Sequence, residues 1–340
     1  MKKIRVGING FGRIGRAFFR QAFGHNEIDI VAVNDLGDVD NLAYLLKYDT
    51  AYNRYQRPVT SNQGKLMIDG QEVRFLQVKD PATLPWKDLA VDVVVESTGI
   101  FEDYDKASAH IRAGAKRVVI SAPGKGAEGD KGVTVLMGLN DDRLPKFTVT
   151  SNASCTTNAT SPVVAVMSEN PGILKAVLST VHGYTATQKL VDSPDAKDWR
   201  RGRAAAQNII PSTTGAAISV TKALPALAGK FDGIAIRVPV LTGSLVDLTF
   251  LAARKTSVEE INEIFCKAAK EPRWQGLLEA SDEELVSSDI VGATTASIVD
   301  LAFTKVIDGD LVKVLAWYDN EWGYTATLLR HVLSAGALQQ

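Results

Sequence analysis

The chain has 340 residues, 45% hydrophobic and 23% charged, a balance expected of a globular protein with a sizeable core and room for two domains. Lysine plus arginine number 38 against 39 acids, a net charge of -1, so no basic field for nucleic acid or for an anionic membrane is expected. Cys155 and Cys266 are the two cysteines, which offers no disulfide framework and fits a reducing, cytoplasmic setting. Met1-Lys2-Lys3-Ile4-Arg5 lacks the apolar stretch of a signal peptide, and the longest uncharged run, 147–168, is too polar to cross a membrane.

Residues 4–9 form a short β-rich run that leads directly into Gly10-Phe11-Gly12-Arg13-Ile14-Gly15. A helix-like segment follows, with Ile14, Phe18 and Ala22 on one face, and then a second strand, 28–33, ending at Asn34-Asp35. This strand–glycines–helix–strand–acid order is the context that a dinucleotide fingerprint requires. Gly10 makes the turn, Gly12 lets backbone approach a pyrophosphate, and Gly15 lets helix and strand pack closely. Asp35 stands where a carboxylate holds the adenosine ribose hydroxyls and repels a 2′-phosphate, which favours NAD over NADP.

Further α/β alternation follows. Residues 91–95 and 117–121 read as covered strands, 101–112 as a helix, 133–138 and 147–150 as the last strands of a parallel-type sheet, and 65–68 with 73–75 as a hairpin. Ser151-Asn152-Ala153-Ser154-Cys155-Thr156-Thr157-Asn158 comes next, between a strand and a helix-like run containing Pro162. Pro162 suits a first helical turn, and Cys155 falls at or just before a helix N-terminus, where free N–H groups and the helix dipole favour a thiolate.

Beyond Cys155 the strands alternate polar and apolar residues, as in 245–250, which predicts a mainly antiparallel sheet with helices on one face. Strands are expected near 173–182, 234–238, 245–252, 298–303 and 312–317, helices near 215–227 and 258–270, and a final helix from 324 to 333. The fold expected is therefore α/β: an N-terminal Rossmann-type doubly wound parallel sheet, followed by an α+β domain. The boundary falls close to Cys155.

A cysteine nucleophile needs a base. Of the four histidines, His25 and His110 read as solvated and His331 as structural, whereas His182 closes a strand beside a glycine. Between 182 and 232 lies a segment rich in anion-binding groups, including Lys197, Arg200, Arg201 and Arg203 and the Thr214-Gly215 pair before a helix. Arg237 sits in an otherwise apolar strand, where a guanidinium calls for an anionic partner. Cys266 reads as a buried helix residue.

The runs 7–16, 151–158, 180–185, 208–217, 237–239 and 317–321, in that order, resemble phosphorylating glyceraldehyde-3-phosphate dehydrogenases, over residues 3 to about 333. The resemblance implies NAD as cofactor, glyceraldehyde 3-phosphate and inorganic phosphate as substrates, and a homotetramer in which the 192–203 loop crosses a subunit contact. No metal is implied. It makes Cys155 the thiolate that attacks the aldehyde and His182 the base. The two phosphates fall to Thr185 and Arg237, and to Ser154, Thr156, Thr214 and Gly215. The backbone of Arg13 and Ile14 meets the pyrophosphate, Asp35 the ribose, Lys79 the adenine region, and Ser121 and Asn320 the nicotinamide end. Residues 1–154 become the NAD-binding domain, completed by a C-terminal helix at 319–340, and 155–318 the catalytic domain.

Some positions depart from the family pattern. Ala159 stands where a second cysteine is frequent, Gly183 where alanine or serine is, Lys79 where arginine is, and 240–244 replaces a Pro-Asn-Val-Ser type run. That last change leaves erythrose-4-phosphate dehydrogenase as an alternative, although the loop 191–200 looks more like the glycolytic enzyme. A non-catalytic dinucleotide-binding scaffold would need none of Cys155, His182, Arg237 and Asn320 together. An NADPH-dependent reductase running the same chemistry backwards is disfavoured by Asp35.

Overall fold

The computed structural model describes residues 2–62, 64–196 and 198–339 and divides into two compact units, one of residues 1–154 and 325–340, the other of 155–324. In the first unit, β1 (Ile4–Asn9), α1 (Arg13–Ala22), β2 (Ile28–Asn34) and α2 (Val39–Lys47) are followed by a small hairpin, β3 (Tyr48–Asp49) with β4 (Asn53–Arg54). Then come β5 (Val59–Asn62), β6 (Lys65–Ile68), β7 (Gln71–Leu76), β8 (Val93–Glu96), α3 (Tyr104–Ala107), α4 (Ala109–Arg112), β9 (Arg117–Ile120), β10 (Val133–Thr134) and β11 (Val149–Ser151). The sheet order is β10-β11-β9-β8-β1-β2-β7-β6-β5, parallel through β7 and closed by the antiparallel β5–β6–β7 meander.

The central strands bury both faces, which is why β8 reads Val-Val-Val with no alternation. Trp86, Tyr104, Val94, Val118 and Val149 form part of the core beside them. The helix expected over 101–112 is two short helices that meet at Ser108. The strand expected over 133–138 keeps only Val133 and Thr134.

The second unit contains α5 (Cys155–Glu169), β12 (Ile173–Gly183), β13 (Ile210–Thr213), α6 (Ala216–Ala223), β14 (Phe231–Val238), β15 (Ser244–Ala252), α7 (Val258–Ala268), β16 (Glu279–Ser281), β17 (Ile298–Ile307) and β18 (Leu311–Tyr318). Its sheet runs β13-β14-β12-β15-β18-β17-β16 and is mainly antiparallel, with β12–β14 and β16–β17 paired in parallel. Strict alternation along β15 turns Val246, Leu248 and Phe250 into the core. The last helix, α8 (Trp322–Ala337), starts in this unit and continues into the first from Thr325.

Two local expectations change. Pro162 lies two turns inside α5 rather than in its first turn, because the helix already starts at Cys155. Proline cannot supply the N–H that the Asn158 carbonyl needs, and the Ser161 hydroxyl donates to that carbonyl instead at 3.4 Å. Cys266 in α7 is partly exposed, not buried. Among the described residues, no helix is long and apolar enough to cross a membrane.

Candidate active site

In the first unit the glycine loop is built as its spacing requires. Gly10 has φ +96, and a Cβ there would meet the Ser97 carbonyl carbon at 2.6 Å. A Cβ on Gly15 would stand 2.1 Å from the Gly10 carbonyl oxygen, so α1 leaves β1 with no room for a side chain. Gly12 is different: nothing lies within 4 Å of its Cβ position. It is the N-cap of α1, whose first turn carries no side-chain cap and no acid.

The Asp35 carboxylate binds this loop, accepting from Phe11 N at 2.6 Å and from Gly37 N at 2.8 Å. The Arg13 side chain is turned to Asp49 at 3.1 Å. Lys79 is exposed, and Ser121 donates its N–H to the Glu96 carbonyl at 2.9 Å. A helix start with no side-chain cap, an open glycine and a carboxylate just past the end of β2 fit a dinucleotide.

Below this loop lies a polar core that the sequence did not disclose. His110, expected in solvent, is fully buried. Its Nδ1 accepts from Trp86 Nε1 at 2.9 Å and its Nε2 donates to Glu96 Oε2 at 2.9 Å. Glu96 also accepts from Asn9 Nδ2 at 2.6 Å and from Thr98 N and Oγ1, while Asn34 donates to Asn9 Oδ1 at 2.7 Å. These bonds tie together the C-terminal ends of β1, β2 and β8, where the dinucleotide loop begins. His331, buried on α8, contacts Thr150 Oγ1 at 2.9 Å and Asn152 Oδ1 at 3.1 Å. Asn152 and the positive-φ Ala153 (φ 55) lead to Ser154, which ends the unit.

In the second unit, Cys155 is the first residue of α5, and its Sγ lies 3.4 Å from His182 Nε2. His182 stands near the end of β12, opposite Arg237 of β14 in the parallel register. That pairing brings Arg237 Nη1 within 2.6 Å of His182 Nδ1 and 3.2 Å of the Gly183 carbonyl, which itself is 2.6 Å from Nδ1. Thr156 Oγ1 shares a hydrogen bond with Tyr318 OH at 2.9 Å, and that hydroxyl reaches Thr180 Oγ1 at 2.8 Å. The Tyr318 ring meets the His182 ring edge-on at 5.9 Å.

Asn320 Oδ1 accepts from Ser244 Oγ at 2.7 Å, and its carboxamide nitrogen has no partner among the described residues. Thr185 bonds Thr187 and Gln188, and Thr214 accepts from Ala216 N, so neither is hydrogen-bonded to the cysteine, histidine or arginine. Gly215 is the N-cap of α6 and has open space at its Cβ position. Arg200 and Arg203 are exposed or partly so, Arg203 pairing with Asp192, and Arg201 donates to Ser212; Lys197 lies outside the described residues. Sequence reading gave no role to Tyr318 or Ser244. The signal was present in β18, where Val312, Val314, Ala316 and Tyr318 form one buried row that ends in a hydroxyl needing a partner.

Electrostatics departs from the expectation of a resting thiolate. Although Cys155 as a residue keeps partial exposure, enclosure of its thiol pushes the pKa up, and the Arg237 charge and the Thr156 hydroxyl and N–H only partly offset this. Burial, helped by the Arg237 charge, holds His182 down to about 3. At the thiol, desolvation outweighs the helix terminus.

Residues 4–104 match the family model described as the NAD binding domain of glyceraldehyde 3-phosphate dehydrogenase, and residues 154–320 match its C-terminal domain. The chain is 49% identical to "Glyceraldehyde-3-phosphate dehydrogenase 2" of Streptomyces avermitilis over 329 residues, 96% of each chain. It is 48% identical to "Glyceraldehyde-3-phosphate dehydrogenase 1" of Trichormus variabilis over 336 residues, 98% of this chain and 97% of the relative. It is 46% identical to "Glyceraldehyde-3-phosphate dehydrogenase 2" of Bacillus subtilis over 335 residues, 97% of each chain. With the dinucleotide loop and the sheet topology, this defines the class as an NAD-dependent oxidoreductase. Similarity over nearly the whole length is decisive at the next level. The chain belongs to the glyceraldehyde 3-phosphate dehydrogenase family.

Proposed function

We propose that this chain oxidises glyceraldehyde 3-phosphate in the presence of NAD and inorganic phosphate and releases an acyl phosphate, 1,3-bisphosphoglycerate. The observation that carries this reading is the Cys155–His182 contact of 3.4 Å at the start of a helix, with a largely buried Arg237 beside it. Among the described residues no carboxylate pairs with Arg237, and a guanidinium in such a place is suited to a phosphate.

The Cys155 thiol passes its proton to His182 as its sulfur adds to the aldehyde carbon, and His182 returns that proton to the alkoxide oxygen, giving a thiohemiacetal and a neutral imidazole. The 10–15 loop and Asp35 would hold NAD, which when bound would supply the hydride acceptor. His182 takes the hydroxyl proton as the carbon is oxidised, and a thioester of Cys155 results. Backbone N–H groups at the start of α5 and the Thr156 hydroxyl stabilise the oxyanion. Inorganic phosphate then attacks the thioester carbon, the C–S bond breaks, and the departing Cys155 sulfur takes back the proton held on His182, which regenerates the site. Arg237 and Thr185 hold the substrate's phosphate; Ser154, Thr156, Thr214 and Gly215 hold the attacking one. Residues 1–154 with the C-terminal helix serve as the cofactor domain and 155–318 as the catalytic domain. Asn320, with its carboxamide nitrogen free, orients the nicotinamide amide, and Ser121 and Lys79 contact the cofactor.

A homotetramer in the cytoplasm is part of the proposal. Val177, Ile234, Phe303 and Ile307, on β12, β14 and β17, are each more than half exposed, which is more outward apolar surface than one sheet of a monomer usually carries. Sedimentation of the purified protein as a monomer would remove this part. For the reaction, NADH formation is followed by absorbance with triose phosphate or erythrose 4-phosphate, with and without phosphate. Fast, phosphate-dependent turnover of the triose is the expected result. Preference for the tetrose overturns the substrate, and NAD binding without turnover of either sugar overturns the enzyme.

A further inference from the structure

Four buried side chains of the first unit, Asn34, Asn9, Glu96 and His110, form one hydrogen-bonded chain whose polarity is fixed from both ends. At one end the backbone fixes it. Asn34 Oδ1 accepts from Val78 N and Asn34 Nδ2 donates to the Val78 carbonyl, each at 2.9 Å, so this carboxamide cannot be turned round. Asn34 Nδ2 also donates to Asn9 Oδ1, which leaves Asn9 Nδ2 to donate to Glu96 Oε2 at 2.6 Å. At the other end an indole fixes it. Trp86 Nε1 can only donate, so His110 Nδ1 is the acceptor, and His110 Nε2 carries the proton that goes to Glu96 Oε2. The second oxygen, Oε1, accepts from Thr98 N at 2.9 Å and from Thr98 Oγ1. Donors thus converge on both oxygens of a side chain that is 2% exposed, and only a carboxylate offers two acceptors there.

We propose, on the reading that residues 10–15 and Asp35 hold NAD, that Glu96 is a positioning residue for the cofactor. It acts through the backbone of the glycine loop and does not touch the ligand. Ser97 and Thr98 are the wall against which Gly10 turns: Ser97 Oγ donates to the Gly10 carbonyl at 2.7 Å, and a Cβ on Gly10 would meet Thr98 N at 2.6 Å. The Gly10 carbonyl in turn stands against Gly15 of α1. At its far end the same chain of bonds holds Val78, next to Lys79. One buried carboxylate therefore sets the spacing between the loop proposed for the pyrophosphate and the segment proposed for the adenine region. In Glu96→Gln the carboxamide has a single acceptor. Its oxygen can stay on Asn9 and His110 only by turning its nitrogen on the Thr98 N–H, and the reverse turns that nitrogen on the Asn9 and His110 donors. Either way donor faces donor, and one of the two segments is released.

Calorimetric titration of NAD into the folded full-length protein tests this, with thermal midpoints measured alongside. Glu96→Gln is expected to weaken NAD binding by about tenfold or more, and Asn34→Ala, at the other end of the chain of bonds, by about threefold or more. Tyr104→Phe is the control. It removes a buried hydrogen bond of the same unit, to Thr134 Oγ1 at 3.1 Å, that lies outside the network. It is expected to lower the midpoint and to leave NAD affinity within about twofold of wild type. An equal loss of affinity in Tyr104→Phe would reduce Glu96 to a contributor to general stability and overturn the proposal. Wild-type affinity in Glu96→Gln does the same, or in Asn34→Ala should the first variant not fold. Nitrogen-15 NMR of the wild type with labelled histidine, His110 being identified by its loss in His110→Gln, is expected to show a proton on Nε2 and none on Nδ1; the opposite tautomer overturns the fixed polarity. Absence of NAD binding by the wild type brings down the cofactor reading and the proposal with it, whereas wild-type binding with no loss in the variants brings down the proposal alone.

Discussion

The first unit makes its proposed cofactor cradle from backbone, whereas the second makes its proposed reactive cluster from side chains. In the cradle the working groups are N–H donors, a missing Cβ at Gly12 and two close approaches at Gly10 and Gly15. In the cluster they are Cys155, His182 and Arg237, brought together by one helix start and one pair of parallel strands. A backbone device depends on what is absent from the sequence, and a side-chain device on what is present at distant positions. The two regions should therefore fail in different ways when altered.

The largest effect is expected at the sulfur. Cys155→Ser should lower turnover by about 10⁴-fold or more while NAD affinity stays near wild type, measured by steady-state assay and by titration of the cofactor. Retained turnover would move the nucleophile elsewhere. Next, His182→Asn should slow hydride transfer by ~10²–10⁴-fold, read in single-turnover NADH formation, with little change in the thermal midpoint. An unaltered rate would mean that another group takes the proton.

The cradle should respond to methyl groups in a position-dependent way. Gly15→Ala forces a Cβ to 2.1 Å from the Gly10 carbonyl oxygen and is expected to cost at least ~2 kcal/mol of stability in denaturant melts. Gly12→Ala meets nothing within 4 Å and should change stability by less than ~1 kcal/mol while weakening NAD binding. If the two variants lose stability equally, the assignment of open and closed positions is wrong.

Near neutral pH the remaining effect is nil, and it shows only as a slope in acid. His182 and His331 are both held by burial to about 3, against ~6.5 for an unfolded imidazole. Between those limits the unfolded chain takes up protons that the folded chain refuses. Stability is thus complete above ~6.5 and falls as the pH drops toward 3, by about 1.4 kcal/mol per pH unit for each histidine. His331→Gln should flatten that fall by one histidine's share in acid denaturant titrations; an unchanged slope would exclude His331.

The same contrast explains what could be read from the sequence. Glycine spacing and the acid at Asp35 are local, so the cradle was legible from a few dozen residues. The alternation in β15 gave the antiparallel character of the second sheet, but not the parallel pairing of β12 with β14, which no local pattern encodes. Cys155 and His182 stood out by residue type and by resemblance. The approach of Arg237 to His182 depends on strand register and could not be anticipated. His110 was misread because its partners, Glu96 and Trp86, are distant in sequence and its helix is only four residues long. β13 was missed because Pro211 argues against a strand, yet β13 is an edge strand, where proline is tolerated.

The pairing of His182 with Arg237 across β12 and β14 has a consequence for how errors in assembly would show themselves. A slip of one residue between these strands sends alternate side chains to the opposite face, so imidazole and guanidinium would part company together. Secondary structure content would barely change. Catalytic competence is then a more sensitive gauge of correct strand registration than any spectroscopic measure of bulk folding, and a refolded preparation is best graded by its specific activity.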